Sequence, residues 1–410
     1  MKLTLKNTLF LTLLVPIGLF SWGVFVSDIA SWHHGGDYGH YYASALRLLE
    51  GRNPYSGTLE DLLTAHGFPL GKVEWRATNP PALILLTIPF TLVPAALSFW
   101  LWNLFQFAVF VLGAHCFCSI LPKKPSRAVF LLSLLGTVAS IPFVMHMRLG
   151  QTQLLVVGLV MIGLSLLHAK PRLAAFTLGV CASLKLFTLP LLLVVARRAF
   201  SEEKKDSFSL LYFPLGFILF TAIAESMANG FLIRSYIEHV IPYVKTLQFH
   251  ITWGASLSFA VFFLIWWFGY NFDAPPNLPE LVGDYINIGA SAFLLLLLAI
   301  ENFASRSAKD YLPSGVFILL ASLLCSPVAW PHYYVLLYPA FLLLWCYYQD
   351  QPLLPQLIFL VLYVGAALTI GFTLFAPLAT ALWGPVVILS LLVLLITYER
   401  RTQSNNGADE

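Results

Sequence analysis

The sequence predicts an all-α polytopic membrane protein of about 12 transmembrane helices, with amphipathic and re-entrant helices on the outer side, and three observations carry that prediction. The 410 residues are 59% hydrophobic and only 10% charged, with a mean hydropathy of +0.79. No water-soluble core hides that much apolar surface. Runs such as Leu9–Phe25, Leu154–Leu167, Phe293–Ile300 and Pro385–Ile396 contain no charge, as spanning helices require where no water can satisfy the backbone. Most of the 23 basic residues fall in short clusters between such runs. The net charge of +3 is too slight to draw nucleic acid. Cys116, Cys118, Cys181, Cys325 and Cys346 all lie inside apolar runs, so they read as packing residues, not as a disulfide framework or zinc site.

The first span runs from about Asn7 to Ile29. Lys2 and Lys6 ahead of it imitate a secretory signal, but the run exceeds an h-region and no small-x-small cleavage site precedes His33, so a retained helix is expected. A first outer loop, residues 30–80, carries charges of both signs. Within it Tyr41–Leu49 repeats apolar residues at helical spacing, and Gly51-Arg52-Asn53-Pro54-Tyr55 stops that helix. It reads as a short amphipathic helix on the membrane surface. Asn79-Pro80-Pro81 begins an apolar segment that Pro89 and Pro94 interrupt before it reaches spanning length, so it dips into the outer leaflet.

Further spans are expected at Leu97–Ile120, Ala128–Met145, Leu154–His168, the close pair Leu173–Lys185 and Phe187–Ala196, and Phe208–Ala224. A polar loop from Ser226 to Ser256 and a short apolar piece, Leu257–Phe268, come next. Spans at Tyr285–Ile300, Tyr311–Leu324, Tyr333–Tyr348, Leu354–Phe375 and Leu382–Tyr398 complete one membrane domain, residues 1–398, and residues 399–410 read as a disordered cytoplasmic tail. Short cytoplasmic links collect Lys and Arg. That rule puts both termini, Lys123-Lys124, Lys170, Arg197-Arg198 and Arg306 inside, provided that the two short pieces do not cross and the pair around Lys185 is a tight hairpin. Asp37, Asn79, Arg148, Gln151, Gln153, Lys185, His250, Trp253, Trp330 and His332 then share the outer side. No internal repeat of the kind that builds inverted transporter halves is evident.

The chemistry concentrates in Trp32-His33-His34-Gly35-Gly36-Asp37-Tyr38-Gly39-His40-Tyr41-Tyr42, where one carboxylate stands among histidines and tyrosines. Asp37 reads either as a helix N-cap or as a general base, its ionised form favoured by the helix N-terminus. One carboxylate suffices for a displacement whose leaving group is a phosphate. Adjacent His33 and His34 diverge in most conformations, so no metal site is expected with His40 and Asp37. Lys185, a lone cation in an apolar stretch, either neutralises a lipid phosphate or snorkels to the interface. In Arg148-Leu149-Gly150-Gln151-Thr152-Gln153, Arg148 is a phosphate ligand or a surface charge, and Gln151 and Gln153 bond sugar hydroxyls or cap the next helix. In Ser326-Pro327-Val328-Ala329-Trp330-Pro331-His332-Tyr333, two prolines free a stretch at the membrane surface. Aromatic belts account for Trp330 and Tyr333; His332 is a candidate donor to a phosphate oxygen. His250 and Trp253 read as interfacial.

Asp37 with Tyr41-Tyr42-Ala43, Leu46, Leu49, Gly51 and Asn53-Pro54-Tyr55, then Asn79-Pro80-Pro81, Gly150-Gln151, Gly179 with Lys185 and Pro190, and Ser326-Pro327 with His332-Tyr333, form an ordered pattern. This pattern resembles glycosyltransferase family 87 of the GT-C superfamily, which includes polyprenyl-phosphate-mannose-dependent mannosyltransferases. The resemblance implies inverting transfer of a hexose, typically mannose, from a polyprenyl phosphate to a lipid or glycan acceptor, on the outer face of a bacterial-type plasma membrane. It implies Asp37 as general base and His332 and Lys185 at the donor phosphate; the residues themselves add Arg148 at that phosphate and Tyr41, Asn79, Gln151, Gln153, Trp330 and Tyr333 around sugar or acceptor. No cofactor is implied. Many GT-C members carry paired acids in the first loop; Asp37 has no acidic neighbour, which favours a metal-independent reaction. The alternative is a transporter or flippase of a lipid-linked saccharide, in which Asp37 and Lys185 bind cargo without chemistry. A ligase or polymerase using lipid-linked donors is a third class, expected to rely on arginine and histidine in a late loop.

Overall fold

The computed structural model describes residues 36–68, 76–200, 206–243, 280–304, 311–326, 331–348 and 377–406, with single positions at 18, 19, 22, 23, 257, 260, 261, 329, 358, 361–364 and 366. The described residues hold helices and no strands. Most of the expected first span, of the piece Leu257–Phe268 and of the span Leu354–Phe375 lies outside them.

Helix α1 (Gly36–Leu49) and α2 (Glu60–Ala65) come first, followed by α3 (Pro81–Thr87) with a 3₁₀ turn, Ile88–Leu92. The amphipathic helix begins earlier than its apolar spacing suggests, so Asp37 stands in its first turn. Tyr38, Tyr41, Tyr42, Ala45 and Leu48 form its buried stripe at helical spacing. Helix α3 with its turn is too short to cross a bilayer; it packs on α1, as the prolines around it foretell. A small apolar cluster joins α1 and α2 to Ala224, Leu232 and Val240, and Asn53 Nδ2 donates to Ser235 Oγ at 2.8 Å.

Helix α4 (Ala95–Ile120) matches its expected span. The span expected at Ala128–Met145 does not run straight: it divides into α5 (Arg127–Ala139) and α6 (Ile141–Leu149), bent by 61°. Ser140 is extended and its hydroxyl accepts from Phe143 N at 3.3 Å, and Pro142, in the first turn of α6, has no N–H to carry the ladder across. Then come α7 (Gln153–Leu166), α8 (Pro171–Leu184), a 3₁₀ stretch Leu186–Leu191, α9 (Leu192–Ala199) and α10 (Ser209–Met227). The last group is α11 (Glu280–Ala304), α12 (Tyr311–Leu324), a 3₁₀ stretch Pro331–Leu337 running into α13 (Tyr338–Tyr348), and α14 (Pro377–Asn406). Helix α14 continues through Glu399 to Asn406, into the segment where the hydrophilic composition suggests disorder.

By length and composition, α4 and α10 can each cross a membrane, and the bent α5–α6 pair is a third candidate. Other expected spans, such as α7, α8 and α12, are apolar helices of 14 residues. Their length is about 21 Å, so the described residues do not reproduce twelve full-length spans. Helices α7 and α12 are buried nearly all round and form the main core with α8, α13 and α14. Helices α10 and α11 expose Leu211, Leu215, Ile218, Ile288, Leu295 and Leu296, the pattern of a lipid-facing surface.

Two helix crossings are close because both partners present glycine. A Cβ on Gly113 would lie 2.4 Å from the carbonyl oxygen of Gly158; one on Gly179 would lie 2.0 Å from that of Phe213, and one on Gly216 2.2 Å from that of Phe176. Helix α8 has Arg172 in its first turn and Lys185 at its far end. The chain from Leu186 to Ala199 then returns, so Arg197 lies at the end of the bundle opposite Lys185. There Arg197 donates to Glu301 Oε1 at 2.7 Å and to Ser314 Oγ at 2.5 Å, tying α9, α11 and α12 together.

Candidate active site

Helix α1 delivers Asp37. Tyr38, one residue on, is fully buried, bonds Ser98 through its hydroxyl and stacks on Trp102 with centroids 5.8 Å apart. These contacts anchor the first turn of the helix against α4. His40 is turned away, its Nδ1 2.9 Å from Arg76 O; burial lowers its pKa to about 4, so it is neutral and fastens the loop.

The partner of Asp37 comes from the turn after α6. Gly150 is left-handed, with φ 68°, and a Cβ there would meet Tyr38 Cβ at 2.6 Å. Only glycine reverses the chain this tightly against the tyrosine. Trp102 Nε1 donates to Gly150 O at 2.9 Å. Gln151 is thereby held with its amide Nε2 donating to Asp37 Oδ2 while its Oε1 accepts from the Tyr41 hydroxyl at 2.9 Å. Both ends of the amide are used, which fixes its orientation.

Lys185 comes from the break between α8 and the 3₁₀ stretch. It is extended, with φ −146° and ψ 105°, and its carbonyl accepts from Thr188 N at 3.1 Å and Thr188 Oγ1 at 2.9 Å. Its ammonium lies 5.9 Å from the centroid of the Tyr333 ring and within electrostatic reach of Asp37. Tyr333 is nearly buried, and its ring centroid lies 5.0 Å from that of His332. His332, fully buried at the start of the 3₁₀ stretch before α13, is in electrostatic reach of Lys185.

Burial raises the carboxyl of Asp37 from its ordinary range to about 6, while the Gln151 hydrogen bond and the Lys185 charge pull the other way. Such a group is mostly ionised at neutral pH and accepts a proton more readily than an ordinary carboxylate. Thus Asp37, Tyr41, Gln151, Lys185, His332 and Tyr333, from four separate stretches of the sequence, come together.

Gln153 is fully buried at the start of α7, beside His146. Asn79 is buried and its carbonyl accepts from the Tyr55 hydroxyl at 2.7 Å; no hydrogen bond among the described residues joins it to Asp37 or Gln151. Arg148 stands partly buried in the last turn of α6. Trp330, His250, Trp253, His33 and His34 lie outside the described residues. The residue that sequence reasoning missed is His146. It is fully buried and in electrostatic reach of both Lys185 and His332. It stands one residue past Met145, the expected end of an apolar span; the signal for it in the sequence is Pro142, which breaks that span.

The family model described as "Glycosyltransferase family 87" matches residues 77–327, more than half of the chain, spanning Asn79, Gln151 and Lys185 and lying between Asp37 and His332. No curated protein and no solved structure matches the chain.

Proposed function

The chain belongs to glycosyltransferase family 87 and is a glycosyltransferase; on that premise we propose that it moves a hexose of the mannose class from a polyprenyl phosphate to a lipid or glycan hydroxyl on the outer face of the membrane. The acceptor O–H gives its proton to Asp37 as its oxygen attacks the anomeric carbon. The bond from that carbon to the phosphate oxygen breaks on the opposite side, so the configuration inverts and polyprenyl phosphate departs with the electron pair. Lys185 and His332, with Arg148 at the edge, face the growing phosphate charge. Gln151 and Tyr41 hold the carboxylate and the sugar; Asn79, Gln153, Trp330 and Tyr333 are assigned to sugar and acceptor.

The observation that carries this reading is the junction of a buried carboxylate, a fixed amide and a lysine at one end of an apolar bundle. A transferase using a lipid phosphate needs a base and a cation within one substrate's length of each other, and Asp37 and Lys185 meet that need. The test is transfer from a radiolabelled polyprenyl-phosphate hexose in membranes carrying the wild type or Asp37→Asn. Loss of transfer with normal insertion is expected; near-wild-type transfer by the variant removes Asp37 from the role of base.

A further inference from the structure

His146 has no part in the mechanism above, yet it occupies the wall behind the proposed phosphate ligands. Its carbonyl accepts from Gly150 N at 2.9 Å and Gln151 N at 3.2 Å, so it is the root of the turn that presents Gln151. Asn103 Nδ2 donates to Met147 O at 3.1 Å and holds the same helix end on α4. Helix α6 packs along the 3₁₀ stretch Pro331–Leu337, which brings the imidazole toward His332 and Lys185. Arg148, two residues further, lies about 200° round the helix. The deep face that α6 turns to Lys185 and His332 therefore belongs to the histidine, and Arg148 stays at the edge.

The imidazole faces the Gln153 side chain, also fully buried; apart from their approach to each other, the ring nitrogens of His146 and the amide atoms of Gln153 have no hydrogen-bond partner among the described residues. A buried polar atom without a partner costs about 1–3 kcal/mol, and native proteins keep few of them outside functional sites. A metal would use such nitrogens, but the described residues contain no group of three His, Cys, Asp or Glu side chains. What fits an imidazole and an amide beside a lysine and a second imidazole is a compact anion with several acceptor oxygens.

We infer that His146 is a ligand of the donor's phosphoryl group, forming the buried rank of a phosphate site whose outer rank is Lys185 and His332, with the Gln153 amide bridging from it to the sugar. The ligand class is a long-chain prenyl phosphate, and the inference rests on the reading of a phosphate-linked donor given above. The phosphoryl group carries one negative charge in the donor and two after the sugar leaves, so a donor N–H aimed at it binds the product phosphate more tightly than the diester.

The test uses the full chain in nanodiscs of neutral phospholipid and measures binding of polyprenyl phosphate against the uncharged polyprenol. The wild type should prefer the phosphate by about tenfold or more, and His146→Ala should lose about tenfold of phosphate affinity with no change for polyprenol. His146→Asn, which keeps an N–H donor, should recover most of that loss. Equal phosphate affinity in wild type and His146→Ala overturns the inference while leaving the donor reading intact. A wild type that binds both lipids alike overturns the donor reading and this inference with it. Should His146→Ala not fold, exchange of the imidazole C2 proton of His146 in the wild type, followed by mass spectrometry, decides. Slowing by polyprenyl phosphate and not by polyprenol supports the inference, and exchange unaffected by either overturns it.

Discussion

The carboxylate of Asp37 and the amide of Gln151, 114 residues apart in the sequence, are hydrogen-bonded to each other. The bond joins the first turn of α1 to the turn between α6 and α7, and the other end of the amide accepts from the Tyr41 hydroxyl.

Activity should rise with pH through about 6, because the base works ionised and burial holds its pKa there. Gln151 and Lys185 both lower that pKa, so Gln151→Leu or Lys185→Met should move the acid limb of the kcat/KM profile to higher pH. An acid limb that stays in place in both variants separates Asp37 from the ionisation that controls the rate.

Asp37→Asn should cut transfer by about 10²–10⁴-fold and at the same time raise thermal stability above pH 6. The sign follows from linkage: a carboxyl whose folded pKa lies above its unfolded value, 3.8, binds more protons in the native state, so its contribution to stability falls as pH rises from about 4 to 6. Removing the charge removes that cost. Melting curves of the two proteins in detergent at pH 4 and pH 7 give the comparison, with a gain for the variant expected only at the higher pH.

Gly150→Ala should destabilise the protein by about 1–3 kcal/mol or more and reduce transfer, since the new Cβ meets Tyr38 in a left-handed turn. Gly51, also left-handed but with nothing near its Cβ position, is the control. Gly51→Ala should lose less stability and keep transfer, and equal losses would mean that the approach to Tyr38 is of no account.

Arg197→Ala should cost about 3–5 kcal/mol because it strands Glu301, which is 3% exposed, without its cation. Adding Glu301→Gln should restore part of the loss. A chemical-denaturation cycle over the four proteins reads the coupling, and additive losses would show that the pair is not a unit.

Sidedness is tested with single cysteines beside Gln151 and beside Arg197. An impermeant thiol reagent should label the first from outside the cell and the second only after the membrane is opened. The reverse result would put the candidate site on the cytoplasmic face.

The membrane class and the helical architecture were legible in the sequence because they follow from composition and from runs free of charge, which are local properties. The family pattern was legible too, and Asp37, Lys185 and His332 became candidates because a carboxylate, a cation and an imidazole stand out against an apolar background. The break at Ser140 was less so, since hydropathy does not register the N–H that Pro142 lacks. What the tertiary structure alone decided is which polar groups meet. Gln151 reaches Asp37 only because Gly150 folds back against Tyr38, and His146 faces Lys185 only because α6 turns 61° from α5. A hydropathy profile records how polar each residue is, whereas a site depends on direction, and direction is fixed by backbone angles and by the helices packed around it.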